Sequence, residues 1–346
     1  MEQAGLPQRH PHRRPAHQLG PDRAVYAALD LGTNNCRLLM ATPQGSGFRV
    51  VDAFSRTTRL GEGLAGSGAL SEDAISRTLA ALRTCAQRMD RRGVTRLRSV
   101  ATEACRRASN CHDFLNRVDQ ETGIAMEIIS AEEEAKLALA GCSPLLDRRI
   151  GDALVFDIGG GSTELIHVKV SHRPGGEEIR HLTSAPLGVV TLTEEYGADL
   201  QTPQGYARVI DLVAERLRAF DPDGKVARLT AQQRMQMLGT SGTVTTLAGV
   251  HLRLPRYDRA AVDGLIMDFQ AVEAASRSLV ESNSHARENH PCIGPERADL
   301  VVAGCAILAA ICRLWPVGRL RVADRGVREG VLLSMMRADR MTAAAE

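Results

Sequence analysis

Among its eight cysteines the sequence has no C-x-x-C pair, and neither cysteines nor histidines show the paired spacing of a zinc site. This argues against a zinc module and predicts free thiols buried in a reducing compartment. Charge of one sign is also scarce in excess: the formal net charge is +2, so any affinity for polyanions must be local. Specific nucleic-acid binding is not expected. Long hydrophobic runs are missing too. The longest uncharged apolar stretch, Leu300 to Cys312, suits a buried helix, because a membrane span needs about 20 residues. Residues 1–23 lack the apolar segment of a secretory signal, so the expectation is a cytoplasmic protein without a membrane partner. Rich in Pro, His, Arg and Gln, they read as a disordered basic tail.

What is present is a chain of 346 residues, 44% hydrophobic and 24% charged, long enough for two domains with sizeable cores. Its strongest signal is a repeat. Asp30-Leu31-Gly32-Thr33-Asn34 and Asp157-Ile158-Gly159-Gly160-Gly161-Ser162 each follow an apolar run and lead into another β-prone run. Strand, acidic residue, Gly-rich turn, strand describes a hairpin whose tip exposes backbone N–H groups above a carboxylate. Such a tip can cradle a phosphate, and the carboxylate suits the divalent cation that accompanies it. One copy is an ordinary hairpin turn. Two copies point to similar halves facing one another across a phosphate site.

The order of elements repeats as well. Strands are expected at 24–31, 36–42 and 48–57, then an amphipathic helix N-capped by Ser71 and stopped at Gly93. A strand at 97–101, a polar helical stretch from Arg106 to Asp119, a strand at 126–129 and a helix from Ala131 follow. Strands recur at 153–157, 164–170 and 179–186, with a turn at Pro174-Gly175-Gly176. Next come a helix at 203–220, a strand at 235–239 and a helix from Ser241. Residues 251–294 read as less regular, with helix around 268–282. A long helix at 295–314, a strand at 320–323 and a closing helix at 326–337 complete the second half. The reading is a duplicated α/β fold of two β-β-β-α-β-α domains, 24–150 and 151–346, with mixed sheets.

Candidate chemistry sits on four segments. In the second hairpin Gly159, Gly160 and Gly161 lack Cβ atoms, letting the backbone approach a phosphate, and Ser162 adds a hydroxyl donor. Asp157 acts there through a cation, and Glu164 could hold the same cation through a water. Asp30 faces them from the first hairpin, with Thr33 and Asn34 as donors. After the strand at 97–101, Arg106 or Arg107 is placed to clamp a phosphate in bidentate fashion. After the strand at 126–129, Glu132, Glu133 and Glu134 oppose the dipole of a helix's first turn. Successive residues splay by about 100° on a helix, so only one of the three can point at a given site and activate a water. Thr240 and Ser241, between a strand and a helix, serve equally as a phosphate site or a helix cap.

Together with Arg59-Leu60-Gly61-Glu62-Gly63-Leu64, Val100 to Asn110, Leu187-Gly188 and Asp324-Arg325-Gly326-Val327-Arg328-Glu329-Gly330, these segments resemble a short-form member of one family. It is the exopolyphosphatase/guanosine pentaphosphate phosphohydrolase (Ppx/GppA) family of the actin-like ATPase superfamily. The resemblance implies a duplicated actin-like (ribonuclease H-like) fold around a central cleft, the last helix packing back on the first domain. It implies a phosphoanhydride hydrolase that releases terminal phosphate from inorganic polyphosphate, guanosine pentaphosphate or both. By motif position Glu134 becomes the general base and Arg106 a phosphate ligand. Asp157, Glu164 and Asp30 become Mg2+ ligands. Gly159 to Ser162, Thr33, Asn34, Thr240 and Ser241 hold the phosphates. Long members add a C-terminal helical domain, which this sequence, running to Glu346, is not expected to contain. A homodimer is the base-rate expectation. The competing readings are an ATP-dependent kinase of the same superfamily, disfavoured by a glutamate as base, and a non-catalytic nucleotide or polyphosphate sensor.

Overall fold

The computed structural model describes residues 24–173 and 175–345; the expected tail at 1–23 and Pro174 of the expected turn lie outside them. The first sheet holds β1 (Tyr26–Leu31), β2 (Asn35–Gln44), β3 (Gly47–Thr57), β4 (Arg96–Ala101) and β5 (Glu127–Ile128), in the order β3-β2-β1-β4-β5. The second holds β6 (Asp152–Ile158), β7 (Thr163–Lys169), β8 (Glu178–Ala185), β9 (Met235–Thr240), β10 (Ile266–Asp268) and β11 (Arg319–Ala323), in the order β10-β11-β9-β6-β7-β8. Apart from the antiparallel edge strand β10, the sheets repeat one another: antiparallel hairpins on one side of β1 and β6, parallel partners on the other. This is the duplicated mixed α/β fold that the sequence predicts.

Alternate residues of the central strands point to opposite faces, and both faces are covered. From β1, Ala27, Leu29 and Leu31 pack with Ile75, Leu79 and Leu82 of the Glu72–Arg92 helix. Tyr26 and Ala28 pack on the other face with Val331, Leu332 and Met336 of the closing helix, Val327–Ala345. The first sheet is thus roofed by a helix from the far end of the chain. The second sheet is roofed in exchange by the Ala131–Cys142 helix, whose Ala135, Leu139 and Cys142 meet Ala153 and Val155 of β6. These two roofing helices cross at close range. A Cβ on Gly330 would stand 1.9 Å from the Leu137 carbonyl oxygen, and one on Gly141 would stand 2.1 Å from that of Gly326. No larger residue fits at either point without parting the helices.

Several elements differ from expectation. The long helix expected at 295–314 begins at Val301. Its expected first turns are spent as tight turns that aim Arg297 into the cleft and Asp299 at Arg59, 3.0 Å away. The polar stretch after β4 divides into helices Glu103–Arg107 and Cys111–Thr122. A helix at Val189–Tyr196 follows Leu187-Gly188, and the closing helix runs on to Ala345. No described helix is long and apolar enough to cross a membrane.

Candidate active site

Both hairpins end in the cleft between the sheets, and Thr102 and Glu103, just past β4, line it with Glu134 of the Ala131–Cys142 helix. The resulting cavity, about 130 Å3, is lined by Asp30, Thr33, Asn34, Glu103, Glu134, Asp157, Gly159, Gly160, Gly161, Ser162 and Ser241. A second cavity of about 580 Å3 adjoins it and shares Asp30, Arg37, Asp157, Ser241 and Arg297. Thr240 lines only the second, where its hydroxyl donates to the Arg325 carbonyl at 2.7 Å. Arg106 and Glu164 line neither cavity and stand one step behind the wall.

The phosphate-loop candidate is held from outside. Val189 N–H donates to the Gly159 carbonyl at 3.0 Å and Val190 N–H to that of Gly160 at 2.8 Å. Gly188 lies so close beneath that a Cβ there would meet the Gly160 carbonyl carbon at 2.2 Å. These contacts explain why Leu187-Gly188 belongs with the site. Opposite, Asn34 Oδ1 is buried without a hydrogen-bond partner among the described residues, which suits a side chain awaiting a ligand. Ser241 caps the Gly242–His251 helix, its Oγ accepting from Thr243 N–H at 3.2 Å, with φ at 125°, a strained value for a residue with a side chain. Of the two roles left open at Ser241, the cap is realised here.

The three glutamates separate as helix geometry requires. Ser130 caps the helix by accepting from Glu133 N–H at 3.1 Å, a bond worth about 1 kcal/mol. Glu132 faces outward to Lys136 at 2.6 Å, and Glu133 pairs with Arg98. Glu134 alone turns into the cleft, its side chain 15% exposed and its Oε2 accepting from Arg106 Nη1 at 2.8 Å. Burial and the nearby Glu164 carboxylate push Glu134 up to about 8, against the pull of Arg106. Arg106 is not open for bidentate capture of a phosphate: its Nε and Nη2 donate to Glu103 Oε2 at 3.3 and 3.0 Å, and Nη1 also donates to the Ile129 carbonyl. The arginine meets two carboxylates before it meets any ligand. Arg107, the other candidate, stays half-exposed, 3.9 Å from Glu103.

A cation site must be judged on its donors. Burial and the Glu134 charge raise Asp157 to about 7, and burial and the Asp157 charge raise Glu164 to about 7. Asp30 is raised by burial, against Arg37 and Arg328. Among the described residues neither Asp30 nor Asp157 accepts a side-chain hydrogen bond at its carboxylate, whereas Glu164 Oε1 accepts from Ser162 and Ser184 at 2.6 and 2.8 Å. Carboxylates that repel one another in this way fit a bound cation. No three acidic, His or Cys groups among the described residues converge to cage an ion unaided. Mg2+ does not require such a cage, since one or two carboxylates, waters and substrate phosphate suffice.

This arrangement has known relatives. A profile of the Ppx/GppA phosphatase family matches residues 40–339. The chain belongs to the Ppx/GppA phosphatase family. It is 28% identical to a Haemophilus influenzae protein named "Putative exopolyphosphatase", over 89% of this chain and 90% of that one. The crystal structure of the Aquifex aeolicus family member superposes with a TM-score of 0.73 at 29% identity, covering 91% of this chain and 98% of that chain. An exopolyphosphatase from Cytophaga hutchinsonii shares the fold with a TM-score of 0.81 at 23% identity, covering 91% and 98%. The expected fold and the Ppx/GppA family resemblance hold.

Sequence reasoning missed Arg37, Arg297, Arg328 and Glu103. Arg37 carried a signal: it stands opposite Asp30 in the β1–β2 register, where the β6–β7 register sets Glu164 opposite Asp157. Arg328 lay in the resembling segment Asp324–Gly330 without a role assigned to it, and Arg297 carried no signal, because it reaches the cavities only through tertiary packing.

Proposed function

We propose that the protein is a hydrolase of terminal phosphoanhydrides, with inorganic polyphosphate or guanosine pentaphosphate as substrate and Glu134 as general base. The observation that carries this reading is that Glu134, alone of the three successive glutamates, turns into a cavity whose opposite walls are two glycine-containing hairpin tips. The terminal phosphoryl group would lie on the backbone N–H groups of Gly159 to Ser162 and on Thr33 and Asn34. Glu134 would align a water for in-line attack and take its proton, with Arg106 fixing the direction of the carboxylate. Asp157 and Asp30 would hold Mg2+, with Glu164 acting through its hydration shell; bound there, the ion would offset charge on the phosphoryl oxygens. Arg37, Arg297 and Arg328, none in an ion pair among the described residues, support further phosphates entering the second cavity. All eight cysteines are free thiols, in keeping with a reducing cytoplasm.

Glu134→Gln keeps the volume of the side chain and removes the base. Phosphate release from long-chain polyphosphate and from guanosine pentaphosphate should each fall by about 10²-fold or more, with the melting temperature unchanged or raised. A folded Glu134→Gln protein that releases phosphate at the parent rate rules this reading out. The ratio of the two substrates in the same assay assigns the preference.

A further inference from the structure

Glu103 opens the Glu103–Arg107 helix directly after β4, where an acidic residue ordinarily does no more than oppose a helix dipole. Here its side chain is only 16% exposed and makes two further contacts. Its Cγ packs against the phosphate-loop candidate so closely that a Cβ on Gly161 would stand 2.8 Å away. Its Oε2 accepts from both Nε and Nη2 of Arg106, occupying the fork with which an arginine grips a phosphate. The opposite edge of the guanidinium is thereby turned onto the Ile129 carbonyl at 2.9 Å and Glu134 Oε2 at 2.8 Å. Of the five N–H donors of an arginine, these bonds commit four and leave one on Nη2.

We propose that Glu103 is a positioning residue that holds the fork of Arg106, directs its other edge onto Glu134 and withholds it from bidentate capture of the phosphate. This rests on the reading of Glu134 as the base. Phosphate binding in the ground state is thus weaker than the arginine could make it, and the interaction is kept for aligning the group that activates water. Removing Glu103 should therefore tighten binding while slowing turnover, because ground-state grip and catalytic alignment draw on the same guanidinium.

The test is a double-mutant cycle read in two ways: kcat and KM for polyphosphate with Mg2+, and the affinity for tripolyphosphate measured calorimetrically in chelator. Glu103→Ala should lower kcat about tenfold or more and lower both KM and the tripolyphosphate Kd about threefold or more. Glu103→Gln keeps an acceptor for the fork and should stay within about 1.5-fold of the parent in all three. In an Arg106→Met background Glu103→Ala should change each by less than about twofold, since the interaction it acts through is gone. Unchanged or weaker tripolyphosphate binding in Glu103→Ala overturns the proposal. So does a Glu103→Gln protein as impaired as Glu103→Ala, or an undiminished effect without Arg106, which would mark mere removal of a negative charge. Glu103→Ser carries the same test if Glu103→Ala does not melt as the parent does. If the parent releases no phosphate from either substrate, the proposed function fails, and the affinity measurements still decide the role of Glu103.

Discussion

The two hairpins of the cleft close through the same turn and differ in charge. Each turn closes through the same bond, Gly32 N–H to the Asn35 carbonyl at 2.9 Å and Gly159 N–H to the Ser162 carbonyl at 2.8 Å. Each sets its aspartate at the same register position, but Asp30 stands opposite Arg37 and Asp157 opposite Glu164. The first hairpin is therefore balanced in charge, while the second is doubly acidic and has Glu134 near it. The difference teaches that a single residue can differentiate two copies of one scaffold: the same turn closes both hairpins, and the residue across the strand from each aspartate sets the local charge.

The largest expected effect breaks the comparison directly. Asp157→Asn should lower phosphate release at saturating Mg2+ by about 10²-fold, and Asp30→Asn by about tenfold, because Arg37 already offsets part of the Asp30 charge. Equal losses in the two variants, measured by steady-state phosphate release, would show that the hairpins are not divided in this way. Arg37→Ala tests the balanced hairpin from its other side. It removes a cation that faces both cavities and should raise KM about tenfold with a smaller change in kcat. A pure kcat loss would instead place Arg37 at the reacting phosphate.

The smallest effect is on stability, and its sign follows from proton linkage. Asp157, Glu164 and Glu134 titrate at about 7, 7 and 8, above the ordinary carboxylate range. The folded chain thus binds more protons at these groups than the unfolded chain. Their contribution to stability is complete below about pH 4 and is lost as pH rises through about 7 to 8. Urea midpoints taken in chelator should fall between about pH 5 and pH 8.5. Asp157→Asn should flatten this slope more than Asp30→Asn does, and Mg2+ should restore the midpoint at the higher pH. A slope indifferent to Asp157→Asn removes the electrostatic half of the comparison.

Much of the fold could be read locally. The hairpin tips were visible because a Gly-rich turn between two β-prone runs has few other conformations. The Ser71 cap was visible because a hydroxyl before a periodic run satisfies helix N–H groups, and it forms, with Ser71 Oγ accepting from Ala74 N–H at 3.3 Å. The β10 edge strand was not visible: Ile266–Asp268 is three residues long and exists only because β11 lies beside it. The early turns that replace the start of the 295–314 helix escaped for a related reason, since local propensity favours helix there and only the first domain rewards a turn that delivers Arg297 and Asp299.

The sequence by itself determined the duplication, the turn chemistry and the helix phase that sends Glu132, Glu133 and Glu134 in three directions. These depend on neighbours a few residues apart, whose geometry is set by backbone sterics and hydrogen bonding. Tertiary structure alone decided that Arg106 is shared between Glu103 and Glu134, and that each sheet is roofed by the other half's helix through the Gly141–Gly330 crossing; it also carries Glu134, the glutamate that motif position selects, into the cleft. Those outcomes depend on contacts between residues far apart in the chain, fixed only when both sheets bury their faces at once.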